Sequence, residues 1–600
     1  MNDMIATPVL SRSNAILGRV AERVSAALER CGFPGSADAA RFSDRTDISD
    51  FQSNVAFRLA KQAKMPPIKV AERIVAELAG DLMIRDARVD GAGFVNFRLS
   101  DDFLAAYLAE IAADPHFGTA QAHEARTFVI DYGGPNVAKS MHVGHLRSTI
   151  IGDCLLRLTR FLGFRAIGDV HLGDWGTQMG MLIHELSLRA PDLPYFDAAY
   201  DGPYPADPPL SLPELEEMYP AASARCKESP ADMDAARLAT AELQAGRAGY
   251  VALWQHFVAL TTVSLKRDFA FLGVSFDLWW GESTVHDRIP GMIRELRAAG
   301  LAVESDGALV IPVATEQDKT ALPPLILEKS DGAVMYGTTD LATLRARFGE
   351  LDADWVLYVV DQRQGVHFQQ VFRAAAKAGY CRADQVEHIG FGTVNGPDGK
   401  PFKTRTGGVM KLNTLLESAH EKARERLYGT KAYFELDDAG KELLARSIAI
   451  AALKFADLSN HRLAAYAFDL DRFVSFEGKT GPYIQYTVAR INSMLAKATE
   501  RDFQVGPLRP AARPEERELQ ILLSQFADTA EGAFTGRIPN LLCDGAFKLA
   551  QAFSRFYASC HVLTEEDPAQ RASWLAVSDL TRTQLMAYLD ILGIPAVEKM

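Results

Sequence analysis

The chain is predicted to be an α/β protein built on a doubly wound parallel sheet, with an α/β unit before it and an α-helical bundle after it. Three observations predict this. Val129–Tyr132 reads as a strand, Gly133-Gly134-Pro135-Asn136 breaks it, and apolar residues at helical spacing (Val143, Leu146, Ile150, Ile151, Cys154, Leu155) follow. Two further strand patterns, Phe164–Val170 and Trp355–Asp361, each end in a polar loop, and strands separated by helices pair in parallel. Beyond Lys411 the pattern turns helical and stays largely so to Met600.

Composition narrows the class. The 600 residues are 48% hydrophobic and 24% charged, which suits a globular chain of several domains. No apolar run approaches the ~18–20 residues of a membrane span. The first twenty residues lack the basic flank, apolar core and cleavage site of a signal peptide. Cys31, Cys154, Cys226, Cys381, Cys543 and Cys560 are scattered without CxxC spacing, so a reducing, cytoplasmic setting and no structural zinc are expected. A formal charge of −13 means that any nucleic-acid surface must be a local basic patch on an acidic body.

The elements follow in order. Residues 1–120 read as the first unit: a helix near Ile16–Ala27, a turn at Cys31–Gly35, and a helix opened by Asp50-Phe51-Gln52-Ser53-Asn54 with Asp50 or Ser53 as cap. A helix from Pro67 and a strand over Gly91–Leu99 complete it. Residues 121–415 hold the parallel sheet. Within them 187–285 reads as an insertion, proline-rich and then helical, with a packing stripe of Leu253, Phe257, Leu260 and Val263. His171–Gln178 and Gln362–Phe368 fall at carboxyl ends of strands, where such sheets place ligands. Gly392–Gly408, with five glycines among Lys400, Lys403 and Arg405, has the composition of a flap over phosphates. Residues 416–465 form a helical connector and 466–600 the helical bundle. There Tyr486 and Arg490 sit four apart on one helix face, a pair suited to an unpaired base.

The chemistry concentrates at His142-Val143-Gly144-His145, where a glycine-rich loop enters a helix. Helix N-terminal amides attract anions, Gly144 leaves room for a nucleotide, and two imidazoles three residues apart can both reach one phosphate oxygen. Alone, HxGH reads equally as a helix cap plus a core histidine. A metal pair lacks further ligands nearby.

The longer string Pro135-Asn136-x-Ala138-Lys139-x-x-His142-x-Gly144-His145-Leu146-Arg147-Ser148 resembles the signature of class I aminoacyl-tRNA synthetases, in the form found in arginyl-tRNA synthetases. DFQSN and GFVNFRLS near the N-terminus, HLGDWGTQ, and the EGKTGPYIQYTVAR and C-terminal strings resemble the same family in the same order. The resemblance implies a Rossmann-type catalytic core, an N-terminal domain at the tRNA elbow and a helical anticodon-binding domain. It implies that L-arginine attacks ATP to give arginyl-adenylate, and that the tRNA(Arg) 3′ end then takes the aminoacyl group. Mg²⁺ would accompany ATP and pyrophosphate without a protein cage. His142, His145, Gly144 and His367 would serve ATP; Asp131, Asn136, Tyr336, Asp340 and Gln364 would bind arginine; Gln52, Asn54, Tyr486, Arg490 and Met600 would bind tRNA. A guanidinium has only donors, so carboxylates at Asp131 and Asp340 are the expected selectors. A monomer is expected.

The chain departs from the pattern in three places. Pro401 stands near the first lysine of the usual KMSKS-like loop, so phosphate contact is assigned to Lys139, with Lys403 and Arg405 assisting. His561 stands where an aromatic residue is commoner, and Gly133-Gly134 replaces small hydroxyl or alanine residues. Two rival readings stay open at this stage: a tRNA-independent adenylate-forming ligase, and a non-catalytic tRNA-binding paralogue.

Overall fold

The structure is a computed structural model that describes residues 13–35, 39–43, 45–122, 124, 126–330, 332–396 and 410–600. Its central sheet has four strands, all parallel, in the spatial order Val386–His388, Trp355–Tyr358, Thr127–Asp131, Arg165–Asp169. Successive strands leave the centre in opposite directions, so a crevice opens between the carboxyl ends of Thr127–Asp131 and Trp355–Tyr358. All five residues of Thr127–Asp131 are buried, as expected of a strand covered on both faces.

The helix Val143–Phe161 (the signature helix) packs so closely on this sheet that Gly152 has no room for a Cβ against the Tyr132 ring. Ser148 pins it there: its hydroxyl accepts from the Gly133 N–H (2.8 Å) and donates to the Val359 carbonyl (2.6 Å). The other side is held by the helix Asp438–Leu458. Asp457 meets the buried Arg147 at 3.2 Å, and Lys454 meets Asp153 at 2.7 Å. Arg147 also donates to the Gly392 and Ala464 carbonyls, and Tyr466 donates to Asp457, so these buried charges are paired and hydrogen-bonded.

Before the central sheet lies an antiparallel one, Arg41–Phe42, Phe51–Ser53, Phe94–Leu99 and Ile84–Asp90, backed by helices. Here one expectation fails. Phe51–Ser53 is a strand paired with Val95–Phe97, and the helix begins only at Val55. Asp50 does not cap that helix: its carboxylate accepts from the Leu99 N–H and from Arg517 of a C-terminal helix. In the insertion, Val263 is exposed; the buried stripe of Ala248–Phe271 is Leu253, Phe257, Thr261, Leu265 and Phe269. Thr261 earns its interior place by donating to the Phe257 carbonyl and accepting the Ala138 N–H. Among the described residues no helix is long and apolar enough to cross a membrane.

Candidate active site and its two ends

A cavity of about 460 Å³ occupies the crevice. It is lined by Asp131, Asn136, His142, Gly144, His145, Tyr336, Asp340, Gln364 and His367, which brings together every sequence-assigned ATP and arginine residue. Lys139 is the assigned phosphate contact that it does not bring in. Its ammonium lies 4.5 Å over the Tyr219 ring and lines a separate cavity with Glu216, Arg267 and Asp268. The attraction of a cation to that ring face holds it toward the insertion. Lys403 and Arg405 lie outside the described residues.

The two histidines interlock. His142 is the N-cap of the signature helix, and its Nδ1 accepts from the Gly144 N–H at 3.0 Å. The His142 N–H in turn donates to Nδ1 of His145 at 3.0 Å. The rings lie 4.0 Å apart, and a Cβ at position 144 would strike the His142 ring, so glycine there serves the imidazole itself. Because each Nδ1 accepts, each neutral ring carries its proton on Nε2, facing outward as a donor. Burial lowers the pKa of both. His145, with His142 and Lys139 as further positive neighbours, is pushed down to about 3. Both therefore act near neutral pH as uncharged Nε2–H donors.

The acidic end is equally fixed. Asp340, in the first turns of the helix Tyr336–Glu350, accepts from His367 Nε2 at 2.6 Å, and the Tyr336 ring packs on that imidazole at 4.9 Å. His367, expected at ATP, thus has an acid as its hydrogen-bond partner. Asp131, at the end of its strand, accepts from the buried Arg347 at 2.7 Å. Asn136 bridges to Gly173, joining the glycine loop to the HLGDWG loop.

Glu282, His171 and Arg363 are among the lining residues to which the sequence alone assigns no role. Glu282 sits where Asp174 accepts from the Ser283 N–H and hydroxyl; burial, then Asp174 and Asp340, push its carboxyl up to about 7. His171 lines the cavity with both ring nitrogens buried and unbonded. Arg363, at the mouth, is clamped bidentate by Asp361. Their sequence neighbourhoods were legible; their convergence was not. Asp131, Asp169 and His171 have metal-like spacing, but the Arg347 guanidinium already bridges the two carboxylates.

A second cavity, about 860 Å³, lies among the C-terminal helices and is lined by Tyr486, Arg490, Tyr557, Arg582 and Met600. Tyr486 is 42% exposed, and Arg490 lies 4.2 Å over the Tyr557 ring. Tyr557 was not foreseen; His561 is exposed and does not line this cavity. At the N-terminal sheet, Gln52 donates to Asn96 and accepts from Arg41, and Asn54 is exposed at the helix N-cap without a side-chain capping bond.

Comparison with known proteins agrees in all three regions. The family model for class I tRNA synthetases (R), catalytic domain, matches residues 108–470. The DALR anticodon binding domain matches 484–600, and the arginyl tRNA synthetase N terminal domain matches 18–99. An arginine--tRNA ligase of Maricaulis maris is 49% identical over 556 residues, 93% of this chain and 94% of that protein. One from Hyphomonas neptunium is 47% identical over 577 residues, covering 96% and 98%. The solved arginyl-tRNA synthetase of Plasmodium falciparum superposes with a TM-score of 0.82, at 23% identity, over 98% of this chain and all of that one. At that identity the likeness speaks for the fold. Sequence similarity near one half over almost the full length places the chain itself: it belongs to the arginyl-tRNA synthetase family of class I aminoacyl-tRNA synthetases.

Proposed function

We propose that the chain is an arginine--tRNA ligase whose crevice activates L-arginine with ATP, and whose C-terminal cavity holds the anticodon loop of tRNA(Arg). The observation that carries this is the joining, in one cavity, of two outward imidazole donors at a helix N-terminus with two carboxylates, Asp131 and Asp340. ATP enters as its Mg²⁺ complex. His142 and His145 donate Nε2–H to the α-phosphate, where charge grows as the arginine carboxylate attacks and pyrophosphate leaves. Neutral donors suit this step, and burial, which lowers the pKa of both rings, favours the uncharged form. Gly144 carries no side chain that would intrude on the nucleotide, and His367 borders the nucleotide while it orients Asp340.

Asp131 and Asp340 receive the substrate guanidinium, with Tyr336 alongside and Asn136 and Gln364 at the polar end. Lys139 reaches phosphate only by leaving Tyr219, and Lys403 and Arg405 assist from the loop. Tyr486, Arg490 and Met600 hold the anticodon loop by stacking and by phosphate or base-edge contacts; Gln52 and Asn54 meet the tRNA elbow. The assignment divides the chain into 1–120, 121–415 with the 187–285 insertion, a connector 416–465 and 466–600. The assigned oligomeric state is a monomer, and the scattered free cysteines support a cytoplasmic enzyme. Charging of tRNA(Arg) with labelled arginine, beside lysine and citrulline, tests the proposal. Charging confined to arginine is expected; equal charging with lysine, or adenylate formation with no tRNA product, would overturn it.

A further inference from the structure

Asp131 lines the cavity, but two residues behind it decide what it offers. Arg347 is fully buried and does not line the cavity, and neither does Asp169. A single guanidinium nitrogen, Nη2 of Arg347, donates to Oδ2 of Asp131 at 2.7 Å and to Oδ2 of Asp169 at 2.5 Å. The other oxygen of Asp169 accepts from the Trp280 N–H at 3.3 Å. Oδ1 of Asp131 carries no hydrogen bond among the described residues, so it is the one carboxylate oxygen of the group left over. Arg347 is otherwise poorly satisfied. Its Nε and Nη1 are buried without partners, and its guanidinium lies 5.1 Å from the Tyr358 ring centroid. A buried arginine that leaves two nitrogens unbonded is expensive to keep for packing alone.

We propose that Arg347 is a positioning residue for substrate selection: it ties Asp131 back to Asp169 and presents Oδ1 of Asp131 as a lone anionic acceptor for the substrate guanidinium. The proposal rests on the assignment of Asp131 as an arginine contact. Two carboxylates this close cannot both stay ionised without a cation between them. With Arg347 in place the trio carries one net negative charge, matched to one guanidinium. Across the cavity Asp340 is treated alike, with Oδ2 tied off by His367. A substrate guanidinium thus meets two acids, each with one oxygen held from behind. The groups facing Asp131 are Arg347, Asp169, His171 and Tyr358, with Asp340 and Glu282 across the cavity. Burial pushes its carboxyl up, and Arg347 is the largest influence drawing it back down.

The chemical consequence is a choice between arginine and citrulline. An ionised Oδ1 accepts from a guanidinium but repels the urea oxygen of citrulline. A protonated Asp131 would donate to that oxygen. Removing Arg347 should therefore damage selection in a direction that simple loosening would not.

The test is arginine-dependent pyrophosphate exchange, with tRNA present, in native protein, Arg347→Met, Arg347→Lys and Asp131→Asn. For Arg347→Met, arginine KM should rise about 10–100-fold, the scale of a lost charged contact, while ATP KM stays within about threefold. The fall of that KM with rising pH, at most about tenfold per unit, should be displaced to higher pH than in native protein, because the variant lacks the largest influence drawing the Asp131 carboxyl down. Discrimination against citrulline should drop by about tenfold or more in Arg347→Met and recover in Arg347→Lys. If Arg347→Met does not fold, the double variant Arg347→Met/Asp169→Asn restores the net charge without the tether and should still show the arginine-specific rise. Native-like arginine KM in either folded variant, equal damage to both KM values, or unchanged citrulline discrimination would overturn the proposal. Asp131→Asn separates the two levels. If it leaves arginine KM unchanged, Asp131 is not a substrate contact; if it raises KM while Arg347→Met does not, only the role of Arg347 falls.

Discussion

The crevice and the C-terminal cavity use polar side chains in opposite ways. In the crevice nearly every functional group is tied before any substrate arrives: His142 and His145 through their Nδ1 atoms, Asp340 by His367, Asp131 by Arg347. In the C-terminal cavity, Tyr486 and Met586 present open surface, 42% and 38% exposed, and Arg490 rests on a ring instead of a carboxylate. Under the proposed roles, the difference teaches what each task requires. Stabilising a transition state needs donors whose reorganisation is complete before the reaction. Holding a splayed base needs an accessible ring and a cation free to adjust.

The largest expected effect tests the tied end. His142→Ala and His145→Ala should each slow adenylate formation by about 10²–10³, as loss of one preorganised donor does, with folding retained. Stopped-flow or exchange kinetics measure this; unchanged rates in both variants would remove the histidines from the chemistry. In the native protein the His145 imidazole should not titrate between about pH 6 and 8 by proton NMR, because burial pushes its pKa down to about 3, and His142 should titrate below the usual imidazole value.

Asp340→Asn comes next. It keeps the shape and loses the charge, so arginine KM should rise by about 1.5–3 kcal/mol equivalent while ATP KM barely moves. Equal rises would assign Asp340 to the fold or the nucleotide.

At the open end, Tyr486→Ala should weaken tRNA(Arg) binding by about 1–3 kcal/mol, the scale of one stacked base. Tyr557→Ala should also weaken it, because Arg490 would lose the ring beneath it.

The smallest effect concerns Lys139. If its ammonium must leave Tyr219 to reach phosphate, Tyr219→Leu releases about 0.5–1 kcal/mol of cation–π attraction and should lower ATP KM slightly. A raised ATP KM would mean that Tyr219 holds Lys139 where the reaction needs it.

Much of this was legible in the sequence because the chemistry is local. The N-cap at His142 and the strand–loop–helix around it depend on residues within a few positions of each other, and the parallel strands appear as apolar runs. What escaped reading is set by distance along the chain. Phe51–Ser53 is a strand because Val95–Phe97 supplies its partner. Thr261 is interior, and Val263 is not, because the Ala138 N–H needs an acceptor. Arg347 meets Asp131 and Asp169 across 216 and 178 residues, and no local pattern marks it. Glu282 looks like a residue leading back into the sheet until Asp174 fixes its neighbour Ser283. Lys139 was placed correctly in its loop, but its direction depends on Tyr219 of the insertion.

The separation of the two ends is tested most directly by one titration. Labelled tRNA(Arg) is bound at fixed salt to native, His145→Ala and Tyr486→Ala proteins, because phosphate contacts make affinity salt-dependent. The account predicts native-strength binding by His145→Ala, which cannot form adenylate efficiently, and a loss of about 1–3 kcal/mol by Tyr486→Ala. Full-strength binding by a folded Tyr486→Ala, or an equal loss in both variants, would contradict it.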